Sequence, residues 1–590
     1  MIPNENGAIM KKWILKNHDA DTALMAKTLK ITPGLANLLA TRGVKTRNTA
    51  IKYLNPLLDY LHPMGDMAGV SDGVNIINQA ITNGDKICIY GDYDVDGVSS
   101  TVILMKGLTA LGANVDYYIP HREREGYGLN IPAVEALAQD FKVLIAVDNG
   151  IASIAEVAQA VELGLTVIII DHHNPQFDDA GYEVLPAAHA IINPKQSACP
   201  YPFKEMSAAG LCYKLALHLG VATEEMLIFA AMAAFCDVVD LISENRIIAK
   251  NGLRLLTKNG TTNLGLDTLV KRRNLEYNDI DDFAMGFILG PCINASGRLD
   301  SAALAVELFL TDDKDKAAEL AQRLIDLNEE RKEMTGRFVD EIIESLQEPL
   351  DDILVIYHEG IHESIAGIVA GRVKEATHHP AIVFTKAGEV AKGSARSIEF
   401  YNVFEAMSAN KDLFLRFGGH PMAAGATMEI GKVDELRKRL NAQSRLTAED
   451  FTPILYGDME LTLEEATFDL AQSLDLLTPF GKANKEPVFF SYAVVTERAE
   501  VIGKSGETLR FTFRSDTGRK ITAIAFKGVS KFAEHLENNY REDVAKAFTA
   551  GRLKNMTIKL DIAYNLRINT WQGNSSLQLV ILDFKHPNLV

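Results

Sequence analysis

Short apolar runs bounded by polar turns set the rhythm of the first half of the chain. Lys86–Tyr90, residues 141–147 and residues 165–170 each have the length and β-branched content of a buried parallel strand. Residues 98–111, behind the first run, are long enough for a helix. From 81 to about 300 strand-like and helix-like segments alternate, as a doubly wound parallel sheet requires. Before it, residues 20–29, 33–41 and 46–53 carry helical periodicity broken by Gly or Pro, so residues 1–80 are expected to be helical. Residues 312–346 are rich in Ala, Glu, Lys, Arg and Leu, without Pro, and predict one long connecting helix or two joined ones. Strand–helix alternation returns at 353–357, 365–375 and 381–385. Beyond Phe451 the pattern shortens to alternating strands at 509–513, 521–526, 556–564 and 577–584, with one helix at 530–536, the signature of a small β domain.

Chemistry gathers at the ends of the three buried runs. The first leads into Gly91-Asp92-Tyr93-Asp94-Val95-Asp96-Gly97, the second into Asp148-Asn149-Gly150, the third into Asp171-His172-His173. Each tip alone reads as a turn. Open α/β sheets bind ligands beyond the carboxyl ends of their strands, so the three tips can share one crevice, where the crowded carboxylates repel one another unless cations sit among them. Oxygen ligands suit hard divalent cations, and an imidazole shifts preference from Mg2+ towards Mn2+. Asp237 ends an apolar helix, where an acid serves equally well as a cap or as a ligand. A second pair, His378-His379, precedes Pro380 rather than following an acidic tip and reads as surface.

Composition narrows the class without choosing a substrate. The 590 residues imply several domains with ample core. The absence of an apolar run near eighteen residues and a polar N-terminus without a signal-peptide core predict a cytoplasmic protein with no membrane span. Five scattered cysteines, with no Cys-x-x-Cys pair, read as reduced buried thiols and exclude a zinc finger. The net charge of −18 neither supports nor excludes nucleic acid, because clustering outweighs the sum. Lys271-Arg272-Arg273 and the pair Arg552 and Lys554 are candidate basic patches, each more often a solvated face.

The tip sequences, in this order, resemble the first three motifs of the DHH phosphoesterase superfamily. Pro120-His121-Arg122, Glu125-Gly126-Tyr127-Gly128, Ser207-Ala208-Ala209-Gly210 and Asp237-Val238-Val239 are similar to the RecJ branch, the single-strand-specific 5′→3′ DNA exonucleases. Asn294-Ala295-Ser296-Gly297-Arg298, Ser394-Ala395-Arg396-Ser397, Gly418-Gly419-His420-Pro421 and Pro479-Phe480-Gly481 extend the likeness over nearly the whole chain. Two positions depart from the pattern. Tyr90 stands where many relatives carry a histidine, and Ile361-His362-Glu363-Ser364 replaces the usual Trp-His-x-Gly.

The resemblance implies a DHH domain at 81–311, a connecting helix at 312–349, a smaller α/β DHHA1 domain at 350–445 and an oligonucleotide-binding (OB-fold) β-barrel at 451–590. It implies two divalent cations, with Asp94 on one, Asp96 on the other and Asp148 bridging. His172 and Asp237 would complete the ligands of the second metal, and Asp92 is a weaker candidate ligand of the first metal. His173 would stabilise phosphoryl oxygens, and Asp171 would orient an imidazole. Arg122, Ser394 and Arg396 would form a 5′-phosphate pocket, and Arg298 and His420 sit in glycine-rich segments that approach phosphate. Phe511, Phe513 and Trp571 are candidate stacking platforms for single-stranded DNA. The reaction would be two-metal hydrolysis by a monomer working with a single-strand-binding protein and a RecQ-type helicase in DNA recombination and repair. The rival readings are a DHH phosphodiesterase acting on short oligonucleotides, cyclic dinucleotides or pyrophosphate, and a metal-free replication scaffold.

Overall fold

A computed structural model of the chain describes residues 11–178, 180–540, 542–549, 554–571 and 573–587. They form two compact units. One comprises Asn55–Gly336 with Pro479–Lys485, the other Met1–Leu54, Arg337–Thr478 and Glu486–Val590. No helix among the described residues is long and apolar enough to cross a membrane.

In the first unit five parallel strands lie in the order Asn114–Tyr118, Lys86–Tyr90, Val143–Val147, Thr166–Ile170, Ala190–Ile192. The three central strands are buried on both faces, which is why they read as unbroken apolar runs. After Lys86–Tyr90 the chain goes outward to Asn114–Tyr118 and then returns to the opposite side. This reversal opens a crevice at the carboxyl ends of Lys86–Tyr90 and Val143–Val147.

Strand–helix alternation was expected to continue to about 300, but the strands stop at Ile192. From Ala208 to Leu310 the chain is mainly helical, through Ala208–His218, Glu224–Cys236, Ser243–Asn259, Leu264–Arg272, Gly290–Leu299 and Ala303–Leu310. Glu224–Cys236 shows why: its apolar run is too long for a strand, and it is buried all round, as a central helix is. The segment at His62 is clasped to these helices by an ion pair between Lys214 and Glu244, both buried. Glu244 also accepts from the His62 amide (2.8 Å) and the Tyr201 hydroxyl (2.7 Å).

The connecting helix is a single one, Lys314–Ser345, of 32 residues and about 48 Å. In the second unit a five-stranded mixed sheet runs Phe414–His420, Ala423–Glu429, Val390–Arg396, Ala381–Ala387, Leu354–Tyr357. The C-terminal strands run Met459–Glu460, Phe489–Ile502, Thr508–Arg514, Lys520–Ala525, Asn574–Lys585, Lys554–Trp571. Phe489–Ile502 also pairs with Lys554–Trp571, closing the sheet into a barrel. A helix at Glu542–Thr549 was not expected.

Three further expectations are corrected. The N-terminal segment is not helical throughout: Lys12–Leu15 is a strand paired in parallel with Ile454–Gly457. Its four residues are too few to show a period, and their partner lies some 440 positions away. Phe511 and Phe513 are fully buried and stack on each other inside the barrel, so neither is a platform for bases. Trp571 ends a described strand, but its side chain, like Arg552, lies outside the described residues. His379 is not at the surface. It is buried, its ring stacks on Phe451 at 4.0 Å, and Nδ1 lies 2.7 Å from the Thr377 carbonyl. Only His378, the left-handed residue closing helix Ala366–Thr377, keeps partial exposure.

Candidate metal centre

The first acidic loop folds on itself. Asp94 caps helix Val95–Ala110, accepting from the amides of Asp96 (2.9 Å) and Gly97 (3.2 Å). A Cβ on Gly97 would sit 2.5 Å from the Asp92 carbonyl, so only glycine permits the turn. Asp96, fully buried, accepts from the amides of Ala208 (2.8 Å) and Ala209 (2.7 Å) at the start of helix Ala208–His218. The Ser207-Ala208-Ala209-Gly210 motif thus aims a helix N-terminus, with its partial positive charge, at one of the acids. Asp148 holds φ at 61°, and Val238, directly after Asp237, holds φ at 55°. A β-branched residue there is an outlier, and such strain concentrates at functional sites.

These elements bring the acids and one imidazole together. His172 Nε2 lies 3.2 Å from Asp148 Oδ1, 3.7 Å from Asp237 Oδ2 and 3.8 Å from Asp96 Oδ2. Ligand atoms of Asp96, His172 and Asp237 fall within 4.8 Å of one another, as do those of Asp92, Asp94 and Asp148, and those of Asp148, His172 and His173. Asp148 therefore belongs to two neighbouring groups, one on each side. Asp92 Oδ1, Asp148 Oδ1 and His172 Nε2 are all buried without a hydrogen-bond partner. Three orphaned acceptor-type atoms around one space would cost several kcal/mol unless a cation satisfied them. The donor set, oxygen-rich with one imidazole, fits Mn2+ or Mg2+.

The electrostatics agree. Burial, then repulsion from Asp94, pushes the Asp96 carboxyl up to about 7. Burial and Asp96 push Asp237 up to about 7 as well. Asp92 and Asp148 are likewise raised well above the carboxylate range by burial and by their acidic neighbours. His172 is held below its ordinary value by burial and the neighbouring His173. A site that disfavours its own charge this strongly is built around positive charge from elsewhere.

Asp171 points elsewhere. Its Oδ1 accepts from the amides of His172 (2.7 Å) and His173 (3.1 Å) and meets His173 Nδ1 at 2.7 Å, while Oδ2 accepts from the Ile151 amide at 3.0 Å. Burial, the largest influence, would lower His173, but the Asp171 hydrogen bond together with the charges of Asp171, Asp237 and Asp92 lifts the imidazole to about 9. His173 is thereby held in one orientation at the mouth of the site. Tyr127, given no role from sequence, places its hydroxyl 3.3 Å from His173 Nε2 and 3.2 Å from the Asp148 carbonyl oxygen. Tyr90 turns away: its hydroxyl donates to the Gly128 carbonyl (3.1 Å) and accepts from Asn130 (3.0 Å).

The Asn294–Arg298 motif closes the other side. Asn294 Oδ1 accepts from the Val95 amide at 3.1 Å, and a Cβ on Gly297 would stand 2.2 Å from the Tyr93 carbonyl. This close approach delivers Arg298, which burial and the facing Arg122 lower to about 10. The Arg122 guanidinium lies over the Tyr93 ring, 4.6 Å from its centroid. Glu125, three residues after Arg122, accepts from the His121 amide at 2.7 Å. Two neighbouring guanidiniums beside the Asp92–Asp94 loop have the chemistry to hold an anion.

The remaining predicted residues lie in the second unit. Ser394 and Arg396 share one face of strand Val390–Arg396, and Arg396, Ala423 and His420 occupy one row across three strands. A Cβ on Gly367, in the first turn of helix Ala366–Thr377, would come 2.9 Å from Arg396 Nη2 and 3.4 Å from Ser394 Oγ, so a helix N-terminus flanks both donors. The altered opening of this domain is held locally by His362 Nδ1 at 2.7 Å from Ser364 Oγ. Lys271, Arg272 and Arg273 are engaged by Asp267, Gln322 and Glu329 respectively.

Known proteins share these domains. The chain matches the DHH family N-terminal domain over residues 86–235, the DHHA1 domain over 351–445 and the RecJ OB domain over 457–583. It is 37% identical over 582 residues to the single-stranded-DNA-specific exonuclease RecJ of Bacillus subtilis, covering 97% of this chain and 70% of that one. The Salmonella typhimurium protein of the same name is 32% identical over 606 residues, covering 96% and 98%. The crystal structure of RecJ from Thermus thermophilus in complex with Mn2+ matches with a TM-score of 0.81 at 26% identity, over 98% of this chain and 80% of that one. The chain belongs to the RecJ family of single-stranded-DNA-specific exonucleases.

Proposed function

We propose that this protein hydrolyses single-stranded DNA from its 5′ end, using two divalent cations, Mn2+ or Mg2+. The observation that carries the reading is the set of buried, unpartnered atoms on Asp92, Asp148 and His172 at the crevice of the parallel sheet. Asp92, Asp94 and Asp148 would hold one ion, Asp96, His172 and Asp237 the other, and Asp148 would serve both. The Thermus thermophilus relative has been crystallised with Mn2+. Bound cations supply Lewis acidity and activate water at neutral pH.

The chain's own groups do the rest. Arg122 and Arg298 bind phosphate oxygens beside Asp94. His173, kept protonated by Asp171, offers an N–H to a phosphoryl oxygen. Ser394, Arg396 and His420 recognise the terminal 5′-phosphate, with a guanidinium for paired oxygens and a hydroxyl as a further donor. Release of single nucleotides from the 5′ end follows from that recognition. The protein acts as a cytoplasmic monomer, and a single-strand-binding protein and a RecQ-type helicase supply its substrate.

The test is degradation of strands labelled at one end, single- and double-stranded, with and without Mn2+. Mononucleotides released first from a 5′ label on single strands, only with metal, are the expected result. Equal attack on duplex, or first release from a 3′ label, would refute it.

A further inference from the structure

Phe283 and Phe287 are 57% and 69% exposed, an unusual cost for two large apolar side chains, and their rings stack at 5.2 Å with an interplanar angle of 20°. Phe283 immediately precedes, and Phe287 lies within, a π-helical turn, Ala284–Leu289, in which Ala284, Met285 and Leu289 are buried. Such turns are rare and cluster at functional sites. This one is tied to the metal centre from two directions. The Met285 carbonyl meets Cys236 Sγ at 3.6 Å, one residue before Asp237, and a Cβ on Gly290 would lie 2.3 Å from the same sulfur. The helix continues through Gly290–Leu299 to Asn294 and Arg298, which pack on the Asp94 loop. Phe287 thus stands seven residues before Asn294 on one continuous helical segment.

We propose that Phe283 and Phe287 form a stacking platform for the bases of the single strand that leads to the metal centre. The inference rests on the exonuclease reading and names a part of its substrate site. Nearby charge favours bases over backbone as the occupant: Asp281 and Asp282 precede the pair and would repel phosphates. Asp281 is engaged by the Ala284 amide at 2.8 Å, and Asp282 also has a partner. An exposed ring face takes any base, but only an unpaired one, so the platform contributes to single-strand preference without reading sequence.

The experiment uses the full chain in EDTA, where strands bind without being cut. Affinity for fluorescein-labelled dT20 is measured by anisotropy for wild type, Phe283→Ala/Phe287→Ala, Phe283→Tyr/Phe287→Tyr and the exposed control Tyr182→Ala. Strands with an abasic residue at successive positions form a second axis. The double alanine variant is expected to bind dT20 about 5- to 150-fold more weakly, the range for loss of one stacked base. The tyrosine variant and the control should bind within about twofold of wild type. One or two abasic positions should weaken the wild type and leave the alanine variant unmoved. Alanine binding within twofold of wild type, or abasic penalties that persist unchanged in the variant, would overturn the platform and leave the rings to a protein partner. A wild type that neither binds nor degrades any single strand would overturn the exonuclease reading itself.

Discussion

Replacing Asp148 with asparagine separates the cost of the site from its use. The residue sits at φ 61°, which asparagine tolerates, so the backbone has no reason to shift. Its carboxylate stands within 4.8 Å of ligand atoms of Asp92 and Asp94. Two full charges at that distance repel by about 3.5 kcal/mol at an effective dielectric of 20, since 332/(20 × 4.8) ≈ 3.5. Partial protonation in the metal-free site reduces the relief on neutralisation to about 1–2 kcal/mol. Without metal, Asp148→Asn should therefore melt about 2–6 °C higher than wild type at pH 8. In Mn2+ the order reverses, because the variant lacks a carboxylate shared by both ligand groups, and hydrolysis of a 5′-labelled strand should fall by at least about 10³-fold, some 4 kcal/mol of barrier. Calorimetry in EDTA and in Mn2+, beside single-turnover degradation, reads both effects. A variant that keeps more than a few per cent of wild-type activity in Mn2+, or one less stable in EDTA, refutes the shared-ligand reasoning.

Arg396→Ala should reduce the preference for 5′-phosphorylated over 5′-hydroxyl strands by about tenfold or more, with Mn2+ affinity unchanged by titration calorimetry; equal losses on both ends would indicate general backbone binding. Glu244→Ala strands Lys214 in a buried position and should cost about 3–5 kcal/mol in urea unfolding, with Lys214→Met/Glu244→Leu recovering most of it. His535, buried among Phe532, Tyr540 and Phe584, is lowered to about 4 by burial and by His586 and Lys531. Its folded value lies below the unfolded 6.5, so its contribution is complete above pH 6.5 and is lost as pH falls through 4. The loss reaches about 3 kcal/mol, and His535→Leu should flatten that limb in denaturant titrations followed against pH.

Much of the site was legible because its chemistry is local. A strand buried on both faces leaves a continuous apolar run, and the acid that ends it marks the crevice, so Asp94, Asp96, Asp148 and His172 could be read directly. Asp237 could not be placed from its own neighbourhood, since a helix-ending acid has an ordinary capping role, and only the folded chain brings it 3.7 Å from His172. Tyr127 and Asn294 were visible as motif letters, but their duties are contacts made across the fold, to His173 and to the Val95 amide. The misreadings share one cause. His379 and Phe511 look polar-adjacent or exposed along the chain, and their burial depends on Phe451 and on barrel closure, neither of which has a local signal. Lys12–Leu15 fails for the same reason, being a strand only because Ile454–Gly457 is there to pair with it.

That pairing has a consequence for how the molecule is made. The unit holding the acidic cluster is almost one uninterrupted stretch, Asn55–Gly336, so it can close its sheet while the rest of the chain is still being translated. The other unit cannot, because Lys12–Leu15 must wait for Ile454–Gly457, and Trp13 for the Asp583 carboxylate that accepts its indole proton at 2.7 Å. At roughly 5–20 residues per second the wait for the strand is about 20–90 s. During it the segment Lys-Trp-Ile-Leu offers an unpaired backbone edge to any passing strand or chaperone. A ribosome stalled between residues 336 and 454 would thus hold a core with its sheet closed, attached to an unsealed N-terminal strand, a product marked for quality control by its first strand rather than by its catalytic unit.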